Sequence, residues 1–126
     1  MNEKLQFTKT QRDGVTYVYT ASGHLYGLSG GYAFQDEVRQ TVAAGARKIV
    51  VDLSSVKSID SSGVGILMTI MFSTSQAGGG VVMAGLPQKL KDVLSMAMLL
   101  EHIDHAATVD EALAKLDAMT FDSTAS

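Results

Sequence analysis

Apolar and polar positions along this chain fall into blocks whose spacing separates strands from helices. From Leu5 to Tyr19 many positions are β-branched or aromatic, and Arg12-Asp13-Gly14 interrupts them with turn residues, which predicts an opening β-hairpin. A glycine-dense stretch from Gly23 to Gly31 leads to Phe34, Val38 and Val42, spaced by four with polar residues between them. That spacing predicts a short amphipathic helix, with Gly45 placed for a left-handed cap. Lys48-Ile49-Val50-Val51-Asp52-Leu53 is nearly continuous in apolar residues, the pattern of a strand covered on both faces and therefore central in its sheet.

Beyond a loop, Val64, Leu67, Met68, Met71 and Phe72 recur at i, i+3, i+4, i+7 and i+8, the strongest helical periodicity in the chain. Gly78-Gly79-Gly80 ends that helix, Val81 to Ala84 forms another buried strand, and Pro87 opens a helix with Leu90, Val93 and Leu94 on one face. Thr108-Val109-Asp110-Glu111 has the form of a capping box for a last helix that buries Ala112, Leu113 and Leu116. Strands alternating with helices imply crossover connections and a largely parallel sheet, made mixed by the opening hairpin. A single domain over residues 1–120 is expected, with a polar tail, 121–126, that frays.

Composition narrows the function classes. At 126 residues with 46% apolar content, one core is expected, large enough to stand without a metal or disulfide. The absence of Cys removes thiol catalysis and Cys-based zinc sites. The opening Met1-Asn2-Glu3-Lys4-Leu5-Gln6 has no apolar leader core, and no stretch approaches the ~18 apolar residues of a membrane span, so a cytoplasmic location is expected. A net charge of -3 with scattered Lys and Arg lacks the basic stripe that nucleic-acid binding needs. The expected partner is a protein.

The chemistry concentrates in Asp52-Leu53-Ser54-Ser55-Val56-Lys57-Ser58-Ile59-Asp60-Ser61-Ser62-Gly63-Val64-Gly65, which runs from the central strand into the most periodic helix. Open α/β sheets place sites where a parallel strand hands over to a helix, and the helix N-terminus there favours negative charge. Asp60 or Ser61 can cap the helix, and Ser62 falls in its first turn. Gly63 and Gly65 each cost about 1 kcal/mol of helix propensity relative to Ala. They either leave a bare helix end that a partner can approach or pack against the sheet.

Val51-Asp52-Leu53-Ser54 through Ile59-Asp60-Ser61-Ser62-Gly63-Val64-Gly65-Ile66-Leu67, with the order of elements around it, resembles the signature of STAS-domain anti-sigma-factor antagonists, the anti-anti-sigma factors of bacterial sporulation and stress responses. The resemblance implies a STAS-like α/β fold, with a mixed sheet of about four or five strands and helices mostly on one face. It implies an unphosphorylated protein that binds an anti-sigma factor and thereby frees a sigma factor. The anti-sigma factor is also the ATP-dependent serine kinase, and a separate phosphatase restores the bound form. By position, the phosphoacceptor is Ser62, with Asp60, Ser61, Gly63 and Gly65 in the partner-binding loop. No catalytic residue and no cofactor of the chain's own is implied, and a monomer or weak homodimer is expected. One departure is visible: where many members have an acid in a G-x-L-D pattern, this chain reads Gly23-His24-Leu25-Tyr26, which implies either a partner divergent at that contact or poor phosphorylation of the loop.

Other patterns compete. A constitutive STAS-like scaffold subunit of a stress-signalling or lipid-transport assembly would use the same loop without phosphorylation. Gly27-Leu28-Ser29-Gly30-Gly31 satisfies the G-x-S-x-G form of a hydrolase nucleophile elbow, which would make Ser29 a nucleophile; the bland alternative is a flexible strand-to-helix connection. His102 and His105 lack further ligands nearby and read as surface residues. Gly63-Val64-Gly65 starts a dinucleotide fingerprint, but Met68 occupies its third glycine position. Ser54-Ser55-Val56-Lys57 matches S-x-x-K without the companion motifs of β-lactamases. Met68, Met71, Met83, Met96 and Met98 are expected as core fillers, with exposure of some as the alternative, and Val93, Met96, Met98, Leu99 and Leu100 as a core cover or a dimer surface.

Overall fold

The computed structural model describes residues 4–119, which fold around one five-stranded mixed sheet in the order β1-β2-β3-β4-β5. The expected hairpin is present: β1 (Gln6–Gln11) and β2 (Thr16–Leu25) are antiparallel. Asp13 closes its turn by accepting from the N–H groups of Val15 and Thr16 at 2.9 and 2.8 Å, an Asx-type turn. β2 then runs parallel to β3 (Lys48–Ile59), β3 to β4 (Gly80–Ala84), and β4 to β5 (His105–Ala106). Helices α1 (Tyr32–Ala43), α2 (Ser61–Gln76) and α3 (Gln88–Met96) make the three crossovers, and α4 (Val109–Ala118) follows β5.

β3 is the spine. Ile49, Val51 and Leu53 face one core with Phe34 and Val38 of α1, Ile66, Leu67 and Ile70 of α2, and Leu90 and Leu94 of α3. Val50 faces a smaller core with Val18, Val82, Ala112 and Leu116, covered by α4 alone. Three helices therefore lie on one face and one on the other, and the expected double coverage of β3 holds. Thr108 caps α4 by accepting from the N–H of Glu111 at 3.1 Å, while Glu111 accepts from Ala107 at 3.3 Å, one residue before the reciprocal partner of a full capping box.

Several expectations are corrected. Residues 54–59 are not a loop but the second half of β3, because Val56 and Ile59 keep burying side chains as the strand continues to pair with the end of β2. Phe72 points outward, 66% exposed, because α2 buries the face of Gly63, Ile66, Leu67, Ile70 and Thr74. Met83 fills the core, but Met96 and Met98 are 84% and 77% exposed; they stand at and beyond the end of α3, where only Leu90 and Leu94 are buried. His105, expected at the surface, is half-buried in a two-residue strand. The tail 121–126 lies outside the described residues.

Candidate functional site

β3 delivers its last buried side chain, Ile59, to the edge of the core, and the chain turns at once into α2 through one extended residue, Asp60. Asp60 is the N-cap: its Oδ1 accepts from the N–H of Gly63 at 2.9 Å, satisfying one of the donors that a helix start leaves orphaned. The same oxygen accepts the hydroxyl proton of Ser62 at 2.6 Å. Ser62 Oγ in turn accepts from the backbone N–H of Gly27 at 2.8 Å. The Ser62 hydroxyl thus bridges the start of α2 to the turn that follows β2, with its donor and one acceptor position in use.

Burial disfavours the ionised form of Asp60, but hydrogen bonds from Ser62 and from the N–H of Gly63 outweigh it and hold the carboxyl below the usual aspartate value. Asp60 is therefore a carboxylate at neutral pH, beside a serine at a helix N-terminus. A phosphoryl group on Ser62 would take away the proton that Asp60 accepts and set negative charge against it, while the Gly27 N–H and the helix dipole would favour that charge.

The two glycines of the loop have different surroundings. A Cβ on Gly63 would lie 2.1 Å from the carbonyl oxygen of Leu25 and 2.6 Å from Ile59 Cγ1, so its missing side chain lets α2 seat on the end of β2. Gly63 is buried, which fits the second of its two expected roles, packing against the sheet. Gly65 is exposed and a Cβ there would meet nothing within 4 Å, which leaves bare backbone on the outer side of α2. Ser61 is exposed, and its side chain makes no hydrogen bond among the described residues, so of the two expected capping candidates Asp60 is the cap.

Sequence reasoning missed a second cluster beside the first. Tyr26, which stands where the acid was expected, places its hydroxyl 2.6 Å from Ser58 Oγ, and His24 Nδ1 lies 2.5 Å from the same oxygen. The two rings stack at 5.1 Å. His24 and Tyr26 alternate on one face of an extended segment, and His24 pairs in register with Ser58. The i, i+2 spacing was in the sequence; the register that sets it against Ser58 was not.

The Gly27–Gly31 stretch is an irregular turn leading into α1, kinked at Ser29 and Gly30, whose backbone angles are not helical. The Tyr26 carbonyl accepts from Ser29 and Gly31, and the Ser29 carbonyl accepts from Leu5, so the expected flexible connection is a turn held on both sides. Among the described residues no imidazole or carboxylate hydrogen-bonds the Ser29 side chain, and the elbow pattern lacks its base. His102 sits in a separate 3-10 turn, Leu100–His102. No helix among the described residues is long and apolar enough to cross a membrane.

A family model for the STAS domain matches residues 6–112. The chain belongs to the STAS domain family. Among similar proteins, one of Thermotoga maritima, described as a candidate anti-sigma factor antagonist, is 35% identical over 69 residues, which is 55% of this chain and 61% of that protein. The match therefore spans less than two thirds of the relative. An anti-sigma factor antagonist from Mycobacterium paratuberculosis has the same fold, with a TM-score of 0.79 at 20% identity over 90% of this chain and 95% of that one. So does the anti-sigma factor antagonist SpoIIAA in its unphosphorylated form, at 0.77 and 17% over 91% of this chain and 99% of that one. The phosphorylated form of SpoIIAA matches at 0.70 and 19%, over 87% and 98%.

Proposed function

We propose that this protein is an anti-sigma factor antagonist whose binding to an anti-sigma factor is switched off by phosphorylation of Ser62. The observation that carries the proposal is the Ser62 hydroxyl, held between Asp60 Oδ1 and the Gly27 N–H at the exposed start of α2. The family, the relatives described as anti-sigma factor antagonists and a structural neighbour known both with and without phosphate support it.

In this account the chain is the substrate and its partner, an anti-sigma factor with serine kinase activity, is the catalyst. A bond forms between Ser62 Oγ and the γ-phosphorus of ATP, the bond to ADP breaks, and the hydroxyl proton leaves to a base of the kinase. ATP and its metal belong to the kinase, and a phosphatase returns the hydroxyl. The added charge of about -1.5 to -2 sits beside the Asp60 carboxylate and cannot be desolvated cheaply in an interface, so the complex opens.

The test is phosphopeptide mapping of the protein isolated from its own cells, in growth and under stress, over the peptide that contains Ser58, Ser61 and Ser62. Phosphate on Ser62 whose occupancy changes with conditions is the expected result. An unmodified peptide in every condition, with stable partners recovered, would make the protein a constitutive binding subunit instead.

A further inference from the structure

The turn beside Ser62 carries one large side chain, and it points away from the molecule. Leu28 is 96% exposed, while its neighbours in the turn are Gly27, Ser29, Gly30 and Gly31. A singly exposed Leu is ordinary on a protein surface; what sets this one apart is a turn fixed from several directions beside Ser62. The Tyr26 carbonyl takes two N–H groups of the turn, at 3.2 Å from Ser29 and 2.9 Å from Gly31, and Leu5 donates to the Ser29 carbonyl at 2.8 Å. Gly30 adopts φ +96, a conformation open to glycine, and a Cβ there would lie 2.7 Å from the Leu5 carbonyl oxygen. The Tyr32 ring covers Gly27 closely enough that a Cβ on Gly27 would lie 2.5 Å from it. The backbone under Leu28 is thereby set before any partner arrives, which lowers the ordering cost of binding.

The position of Leu28 links it to the switch. Gly27, the preceding residue, donates to Ser62 Oγ at 2.8 Å, so a surface that reaches Ser62 meets Leu28 within a residue or two. On the other side stand exposed Ser61 and open Gly65. The sixteen residues of α2, Ser61–Gln76, include no Asp, Glu, Lys or Arg. Asp60 and Lys4, whose stem would lie 3.2 Å from a Cβ on Gly30, bring charge to the edges of this surface, while the α2 side offers an uncharged contact for an apolar centre.

We infer that Leu28 is the apolar anchor of the partner interface, filling an uncharged pocket on the anti-sigma factor next to the region that contacts Ser62. This rests on the reading of Ser62 as the partner contact. Leu28 sets affinity and partner choice, and Ser62 sets whether the contact is allowed. Modification of Ser62 also acts on the anchor, because the Gly27 N–H that fixes the start of the turn is bonded to the oxygen that becomes the phosphoester.

The experiment titrates the anti-sigma factor/serine kinases encoded in the same genome, purified one by one, into the wild-type chain, Leu28→Ala, Leu28→Met and Ser62→Asp by calorimetry, with a thermal melt of each variant. For the kinase that binds wild type and releases Ser62→Asp, Leu28→Ala is expected to weaken binding about 10- to 100-fold. Leu28→Met stays within a few fold of wild type, and neither changes the melting temperature. Binding by Leu28→Ala within twofold of wild type overturns the anchor and leaves the Ser62 account standing. A lowered melting temperature for Leu28→Ala also overturns it, since Leu28 would then be packing at home. Failure of every kinase to bind wild type, or full binding by Ser62→Asp, overturns the Ser62 account and the anchor with it.

Discussion

Two hydrogen-bonded clusters in this fold are built from similar groups and answer differently to chemical change. Between β1, β2 and α1, the hydroxyl of Tyr19 lies 2.8 Å from Thr41 Oγ1 and 3.0 Å from Glu37 Oε2, and Lys9 closes the cluster as an ion pair to Glu37 at 2.9 Å. Burial pushes the Tyr19 phenol above its ordinary value, so it stays a neutral donor. The bond from Lys9, with those from Thr41 and Tyr19, holds the Glu37 carboxyl low against the opposing effect of burial. Here a buried hydroxyl has partners and the carboxylate has a cation.

At the start of α2, the Asp60 carboxylate accepts from neutral donors alone among the described residues, and Ser62, whose hydroxyl it holds, is half-buried. One added phosphoryl group can rewrite that arrangement. The first cluster ties α1 to the sheet and is expected to be indifferent to partners. The second is expected to decide partner binding while contributing little to stability. The largest test of that division concerns the glycines.

Gly63→Ala forces a Cβ against the Leu25 carbonyl at 2.1 Å, and a loss of about 3 kcal/mol is expected in urea denaturation. Gly65→Ala meets open space and is expected to stabilise α2 by up to about 1 kcal/mol, while weakening the partner if bare backbone is approached closely. Equal destabilisation by both would erase the distinction drawn between them. Next in size, Tyr19→Phe leaves Thr41 and Glu37 short of a donor and is expected to cost about 1–2 kcal/mol, with partner affinity unchanged in a titration; a loss of affinity without a loss of stability would reverse the assignment of the two clusters.

The smallest effect concerns Asp60. Its folded value lies below the ordinary 3.8, so its ionised form adds stability that is present above that value and lost as pH falls through the lower one. Asp60→Asn keeps a capping oxygen without the charge. The stability advantage of wild type over Asp60→Asn should therefore shrink below about pH 4, measured by denaturation across that range. A constant gap would mean that the carboxylate is not tied into the fold as described.

Much of this arrangement was legible before the structure. Phe34, Val38 and Val42 marked α1, and the run from Ile49 to Leu53 marked a strand buried on both faces, because those signals are local periodicities. Asp60 was legible as a cap, and Ser62 as a first-turn serine, from spacing alone. The parts that were not legible depend on contacts between distant segments. Residues 54–59 looked like a loop because Ser54, Ser55, Lys57 and Ser58 surround Val56, yet pairing with Ser22 to Leu25 of β2 keeps them extended. Phe72 and Met96 satisfied apolar patterns but fall on helix positions that no other element covers. The bond from Gly27 to Ser62 joins residues 35 apart in sequence, and the bond from Tyr26 to Ser58 joins residues 32 apart. No periodicity reports such pairs.

The most direct measurement compares the unphosphorylated chain with the same chain stoichiometrically phosphorylated on Ser62, titrated against the anti-sigma factor proposed as its partner. The account predicts tight binding by the first and a loss of at least about 100-fold for the second, as expected when a charge is left without a partner in an interface, with both forms equally folded by thermal melt. Equal affinity of the two forms would contradict the central claim that the Ser62 hydroxyl is the switch.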